Sequence, residues 1–236
     1  MHSLTYKTIA GAVAFALCSY AAGEEAPRSV REEIRAEMTS PSKYPDRAYS
    51  ETDAEAFAEK YGKEATPVLL EMLKEDCSPR LKRKICFFLG KLEDSRAVQP
   101  MIDLFEASIK TEMDSETRRM MVFILRGLAY SGDSHAREFL KRCAGKDYWT
   151  ALPVRPTVPE QHWNEGDTRK YLRKNAVISL GRFPDPAIVD TLEELKRTTV
   201  ADDPYLCKKV DDSIKEARRR QEERNKGKTP SPDPEP

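Results

Sequence analysis

The stretch from Ser78 to Phe105, SPRLKRKICFFLGKLEDSRAVQPMIDLF, recurs in altered form before and after itself, and this recurrence restricts the possible folds most. Leu81, Ile85, Leu89 and Leu92 share one stripe at helical spacing, and Val98, Met101, Ile102 and Phe105 form a second. Ser78 suits an N-cap, and Pro79 suits the first helical position, where its missing N–H has no intrahelical partner to lose. Glu93-Asp94 breaks the pattern, and Asp94 or Ser95 caps the helix that follows. Gly90, in the last turn of the first helix, omits a side chain where a neighbouring helix can come close. Neither helix can bury its apolar face alone, so the copies must stack.

Four such hairpins are legible. The first opens at Ser50-Glu51-Thr52-Asp53, runs through Ala54, Phe57, Ala58 and Tyr61, stops at Gly62 and returns through Val68, Leu69 and Leu73. The third starts at Asp114, carries Met121, Ile124, Leu125 and Leu128, turns at Gly132-Asp133 and returns through Ala136, Phe139, Leu140 and Cys143. The fourth starts near Asp167, with Leu172, Ala176 and Leu180, turns at Asp185-Pro186 and returns through Ile188, Val189, Leu192 and Leu195. A last helix from Asp203-Pro204 carries Leu206, Val210 and Ile214, and is expected to dissolve into the charged run from Lys215. The expected plan is all-α: repeats over 50–222, a loop insertion at 145–166, and a disordered proline-rich tail over 223–236.

The repeats resemble HEAT repeats, in particular the short bacterial HEAT-like type first described in phycobilisome lyases. The resemblance rests on SPRLKRKICFFLGKLEDSRAV, DSETRRMMVFILRGLAYSGDSHA and TRKYLRKNAVISLGRFPDPAIV, and covers about Ser50 to Arg218. It implies a right-handed α-solenoid, an α-α superhelix offering an extended surface. It also implies a structural ladder in which Lys82, Arg118 and Arg173 pair with the inter-helix aspartates Asp94, Asp133 and Asp185. No lyase activity follows from it, because scaffolds and enzymes share the repeat.

Ahead of the repeats, His2 and Lys7 precede the apolar run Ile9–Leu17, small residues follow, and no acidic residue appears before Glu24. This is the pattern of a secretory signal peptide over 1–23, with cleavage after Ala21 or Gly23, and the run is short for a transmembrane span. A periplasmic or secreted bacterial protein is therefore expected. Residues 24–49 supply a capping helix, with Ser29-x-x-Glu32 as its capping box and Val30, Ile34 and Met38 as its stripe, followed by a linker. Cys77, Cys86, Cys143 and Cys207 remain after the leader; their scatter along a stack favours free thiols, although an oxidising compartment keeps a disulfide open.

Two features suggest binding. The first is a column of cations one position after each ladder residue, Arg83, Arg119 and Lys174, with Lys208 in the weaker last unit; it reads as an anion or acidic-partner surface or as a solvated face. The second is the insertion, which holds Tyr148, Trp149, His162 and Trp163. A long aromatic loop in a compact array is usually functional or disordered, and its aromatic content disfavours disorder. One tryptophan is expected to pack on the third or fourth hairpin and the other to stay partly exposed.

Forty basic and forty acidic residues give zero formal net charge, which argues against a dedicated nucleic-acid binder. No Ser/His/Asp set, apolar carboxylate pair, phosphate loop or CxxC is present, and His162, Glu165 and Asp167 lack the spacing of a metal site. The reading is a non-catalytic scaffold or adaptor without cofactor or metal that binds a protein partner. A competing reading makes the chain an accessory enzyme or metal-dependent factor using residues 148–167.

Overall fold

The computed structural model describes residues 29–40, 50–75, 77–110, 113–151, 165–198 and 203–226. The signal-peptide segment, most of the linker and the tail from Gly227 lie outside these residues. The chain divides into one compact unit up to Glu33 and another from Ile34 onward. In the first, Ser29 caps helix α1 (Val30–Thr39) by the expected reciprocal box: its hydroxyl accepts from the Glu32 N–H, and its own N–H donates to the Glu32 carboxylate. Val30, expected on the buried stripe, is exposed instead.

From Ile34 onward the described residues are helical hairpins stacked in chain order. The first pairs α2 (Glu51–Tyr61) with α3 (Ala65–Lys74); the second pairs α4 (Pro79–Lys91) with α5 (Val98–Lys110). The third pairs α6 (Ser115–Tyr130) with α7 (Ser134–Ala144), and the fourth pairs α9 (Glu165–Leu180) with α10 (Ile188–Thr198). A five-residue helix, α8 (Lys146–Thr150), follows the third, and α11 (Pro204–Lys226) closes the array. The starts are capped as the sequence dictates: Ser50 and Asp53 make a capping box, Ser78 accepts from the Leu81 N–H, and Asp114 accepts from the Thr117 N–H.

Packing follows from the stripes. Helix α4 lies on α6, α6 and α7 lie on α9, and α9 and α10 lie on α11, so each hairpin finishes its neighbour's core. Ile85, Leu89, Ile124, Leu125, Leu172 and Ala176 are fully buried along this seam. The α4–α6 contact is backbone on backbone. A Cβ on Gly90 would sit 2.3 Å from the Gly127 carbonyl oxygen, and one on Gly127 would sit 2.3 Å from that of Cys86. The expected close approach at Gly90 is thus met by a second glycine from the next hairpin. At the near end, Ile34 and Met38 are buried, and the Lys84 ammonium donates to the Glu37 and Met38 carbonyls in the last turn of α1.

Three boundaries move. The charged run after Lys215 is not frayed: α11 continues through it to Lys226, so residues 223–226 are helix rather than tail. Arg219 and Arg220 both pair with Glu216 along the helix, and Arg218 pairs with Glu193 of α10. Gln221 and Arg224 also donate to the Pro186 and Pro184 carbonyls, which fastens the helix across the fourth turn. The insertion begins as α8 rather than as loop, and α9 starts at Glu165, inside the range read as loop. Residues 152–164 lie outside the described set.

Candidate functional site

The ladder aspartates occupy the turns, yet their cations are not the expected ones. Asp94 is buried and accepts from the Arg96 backbone N–H and guanidinium, at 2.6 to 3.0 Å. Arg96 also donates to the Lys63 carbonyl of the first hairpin. Asp185 takes the guanidinium of Arg137 from the third hairpin, and Asp133 caps α7 through the His135 and Ala136 N–H groups. Lys82, Arg118 and Arg173 sit in the first half of their helices, whereas the aspartates follow the helix ends. At 1.5 Å per residue that is a separation of roughly 15 Å, too far to pair. Arg118 and Arg173 are buried, and Arg173 donates to the Ala144 carbonyl at the end of α7.

The Arg96 guanidinium, followed by the turn N–H group, holds the Asp94 carboxyl at about 2, below its ordinary 3.8, against the opposing effect of burial. A lowered carboxyl pKa gives stability that is complete above the unfolded value and fades as pH falls toward the folded one. Asp94→Asn is therefore expected to cost about 1–2 kcal/mol at neutral pH, discounted because Arg96 is exposed. Urea melts should show the gap from wild type narrowing between pH 4 and pH 2. A gap constant with pH would remove the ion pair from the account.

The cation column does not form. Arg83 is buried and pairs with Glu116 at 3.2 Å, while Arg119 is exposed and pairs with the same carboxylate at 2.9 Å. Lys174 is half-buried, 4.9 Å from the centre of the Tyr171 ring. The reason is register. Arg83 and Lys174 precede their Leu-Gly glycine by seven residues and the Arg119 counterpart precedes Gly127 by eight. One residue is about 100° around a helix, so Arg83 is turned into the stack and Arg119 out to solvent, and the two meet only through Glu116 between them. With the column goes the reason to expect an acidic partner.

In the described part of the insertion, Trp149 is core. Trp149 is 1% exposed, with its ring 6.2 Å from Phe105 of the second hairpin and 5.2 Å from Tyr148. Its indole N–H donates to the Cys143 carbonyl at 2.6 Å, satisfying a group at the end of α7. Tyr148 is half-buried against Phe139, and burial pushes its hydroxyl pKa up. The Trp149 ring is therefore no free anchor for a partner. His162 and Trp163 lie outside the described residues, as do the side chains of Glu165 and Asp167. No disulfide joins Cys77, Cys86, Cys143 and Cys207 to one another, and burial raises the thiol pKa of Cys86 and of Cys143.

The structure instead draws together residues from both ends of the array. A cleft of about 500 Å³ opens between α2 and the far end of α11. Glu51 and Glu55 of α2 form one wall; Arg219, Arg220, Glu223 and Arg224 of α11 form the other. Its floor is made where first helices end: Lys91 and Glu93 after α4, Tyr130 at the end of α6, Arg182 and Pro184 after α9. Lys91 pairs with Glu55 at 2.9 Å and lies 3.9 Å from the centre of the Tyr130 ring. Burial lowers the Arg182 pKa while nearby Glu51 raises it, and no carboxylate among the described residues reaches ion-pair distance of that guanidinium. The sequence does carry a signal for this site: Lys91 and Arg182 each follow a Leu-Gly pair, so the packing glycine that aligns the helices also aligns these cations.

Residues 172–198, from within α9 to the end of α10, match the family model of the PBS lyase HEAT-like repeat. The fourth hairpin carries a HEAT-like repeat. No curated protein matches the chain. The HEAT-like segment holds Arg182, Pro184 and the turn on which α11 is fastened, so the matched part of the chain supplies one side of the cleft floor. No helix among the described residues is long and apolar enough to cross a membrane, and no group of three potential metal ligands occurs among them.

Proposed function

We propose that this chain is an exported, non-catalytic scaffold, built as a right-handed α-solenoid, that seats a protein partner in the cleft between α2 and α11. One observation carries the reading: every hairpin contributes to that cleft, so the repeat array as a whole, and no single loop, constructs the surface. Helical-repeat proteins commonly mediate protein interactions through such composite surfaces. Val30 and Tyr205 are the only large apolar residues strongly exposed among those described, so recognition rests on polar groups. Export rests on the leader pattern over residues 1–23.

The test is capture of partners from the envelope fraction of the native cell. Reversing Glu51 and Arg224 together, one from each wall, is expected to abolish capture while lowering the melt only slightly, since Arg224 gives up one exposed contact to the Pro184 carbonyl. Equal capture by the reversed protein would place the partner elsewhere. Fractionation of the full-length chain tests export: the mature form should begin at Ala22 or Glu24 and leave the cytoplasm.

A further inference from the structure

Three charges of the cleft have no ion pair or side-chain hydrogen bond among the described residues: Glu93, Arg182 and Glu51. Glu93 holds φ +51°, in the left-handed region, at the second residue after α4. Glycine is the usual occupant of that place, because a side chain there crowds the backbone. The equivalent residue after α6 is Gly132, with φ +66°. The third hairpin thus meets the demand with a glycine, and the second meets it with a glutamate whose side chain lines the cleft. Strained conformations of this kind gather where function retains them. Arg182 and Glu51 are the others: Arg182 is shielded by its surroundings, with Arg220 and Glu216 acting on it in opposite senses and Glu51 beyond ion-pair distance.

The other charges of the cleft are engaged. Lys91 is held by Glu55, Arg219 and Arg220 by Glu216, and Arg224 by the Pro184 carbonyl. What remains is a mixed set, the carboxylates of Glu51 and Glu93 and the guanidinium of Arg182, with the other charges engaged around them. A uniformly acidic ligand would meet Glu51, Glu55, Glu93 and Glu223, and a uniformly basic one would meet the arginines.

We propose that the cleft recognises a mixed-charge segment of a protein partner, one whose basic side chain pairs with Glu93 and whose acidic side chain pairs with Arg182. This rests on the reading of the cleft as the partner site. A side chain retained at a strained position for binding separates two quantities that usually fall together. Glu93→Gly should weaken binding about tenfold, the loss of one charge-assisted contact. It should also raise the melting temperature by about 2–4 °C, because the strain is relieved.

The probe is a fluorescein-labelled peptide of alternating lysine and glutamate, followed by anisotropy at low salt, with all-lysine and all-glutamate peptides of the same length beside it. The alternating peptide should bind the full chain best, and Glu93→Gly and Arg182→Gln should each weaken it about tenfold, with Arg182→Lys restoring part of the loss. Binding unaffected by either substitution overturns the inference, as does a uniformly charged peptide binding as well or better, or no binding by any of the three. A lower melting temperature for Glu93→Gly also overturns it, since the fold itself would then be using the side chain. If reversing Glu51 and Arg224 still abolishes partner capture while the peptides show no preference, the cleft stands as the partner site and only its mixed-charge reading fails.

Discussion

Gly127→Ala is expected to destabilise the array by about 3 kcal/mol or more, although alanine is the better helix former. Propensity alone favours alanine over glycine by about 1 kcal/mol in a helix interior. The added methyl, however, would lie 2.3 Å from the Cys86 carbonyl oxygen and 3.1 Å from its carbon, with the Met101 sulfur at 3.3 Å. Overpacking typically costs about 1–3 kcal/mol, and more where the obstacle cannot rotate away. Here the obstacle is the α4 backbone, so the two helices must part, and every side chain interlocked along their seam loses contact. Gly90→Ala meets the Gly127 backbone at the same distance and should behave alike. Urea denaturation of both variants checks this, and a Gly127→Ala protein at least as stable as wild type would show that the helices are not in backbone contact.

Trp149→Ala is expected to cost about 3–5 kcal/mol, the usual range for removing a large buried aromatic. The side chain fills the space between Phe105 of α5 and the end of α7, and its N–H occupies the Cys143 carbonyl. Alanine leaves both a cavity and an unmet acceptor. Trp149→Phe fills much of the volume and should lose about 1 kcal/mol, near the net value of one hydrogen bond. A Trp149→Ala protein that melts like wild type would return the residue to the surface and reopen the insertion as a binding element.

Periodicity made the hairpins legible because stacked repeats bury one stripe per helix, and that stripe is local information. Leu89 and Leu125 announce themselves within a window of a dozen residues, as do the caps at Ser50, Ser78 and Asp114. The site was harder to see because it is assembled from residues far apart in the chain, such as Glu51 and Arg182. Their meeting depends on how the hairpins add up in space. The cation column failed for a related reason: a one-residue difference in the distance from Arg83 and Arg119 to their glycines turns them onto different faces. The ladder was half visible. Its aspartates were read from the turns, while Arg96 and Arg137 hid among ordinary surface charges of the second helices. The α11 extension was misjudged because composition alone does not distinguish a solvated tail from a helix held by Arg218, Gln221 and Arg224.

The placement of the cleft walls has a mechanical consequence. One wall belongs to the first hairpin and the other to the last helix, so the gap between them measures the accumulated rotation at every joint in the stack. A change of a few degrees at the Gly90–Gly127 joint is carried along the lever of the remaining hairpins and arrives at the rim as a change in width. The array is in this sense a calliper: the jaws are charged, the hinge is distributed, and a partner seated there as proposed would sense the spacing of helices that it never touches.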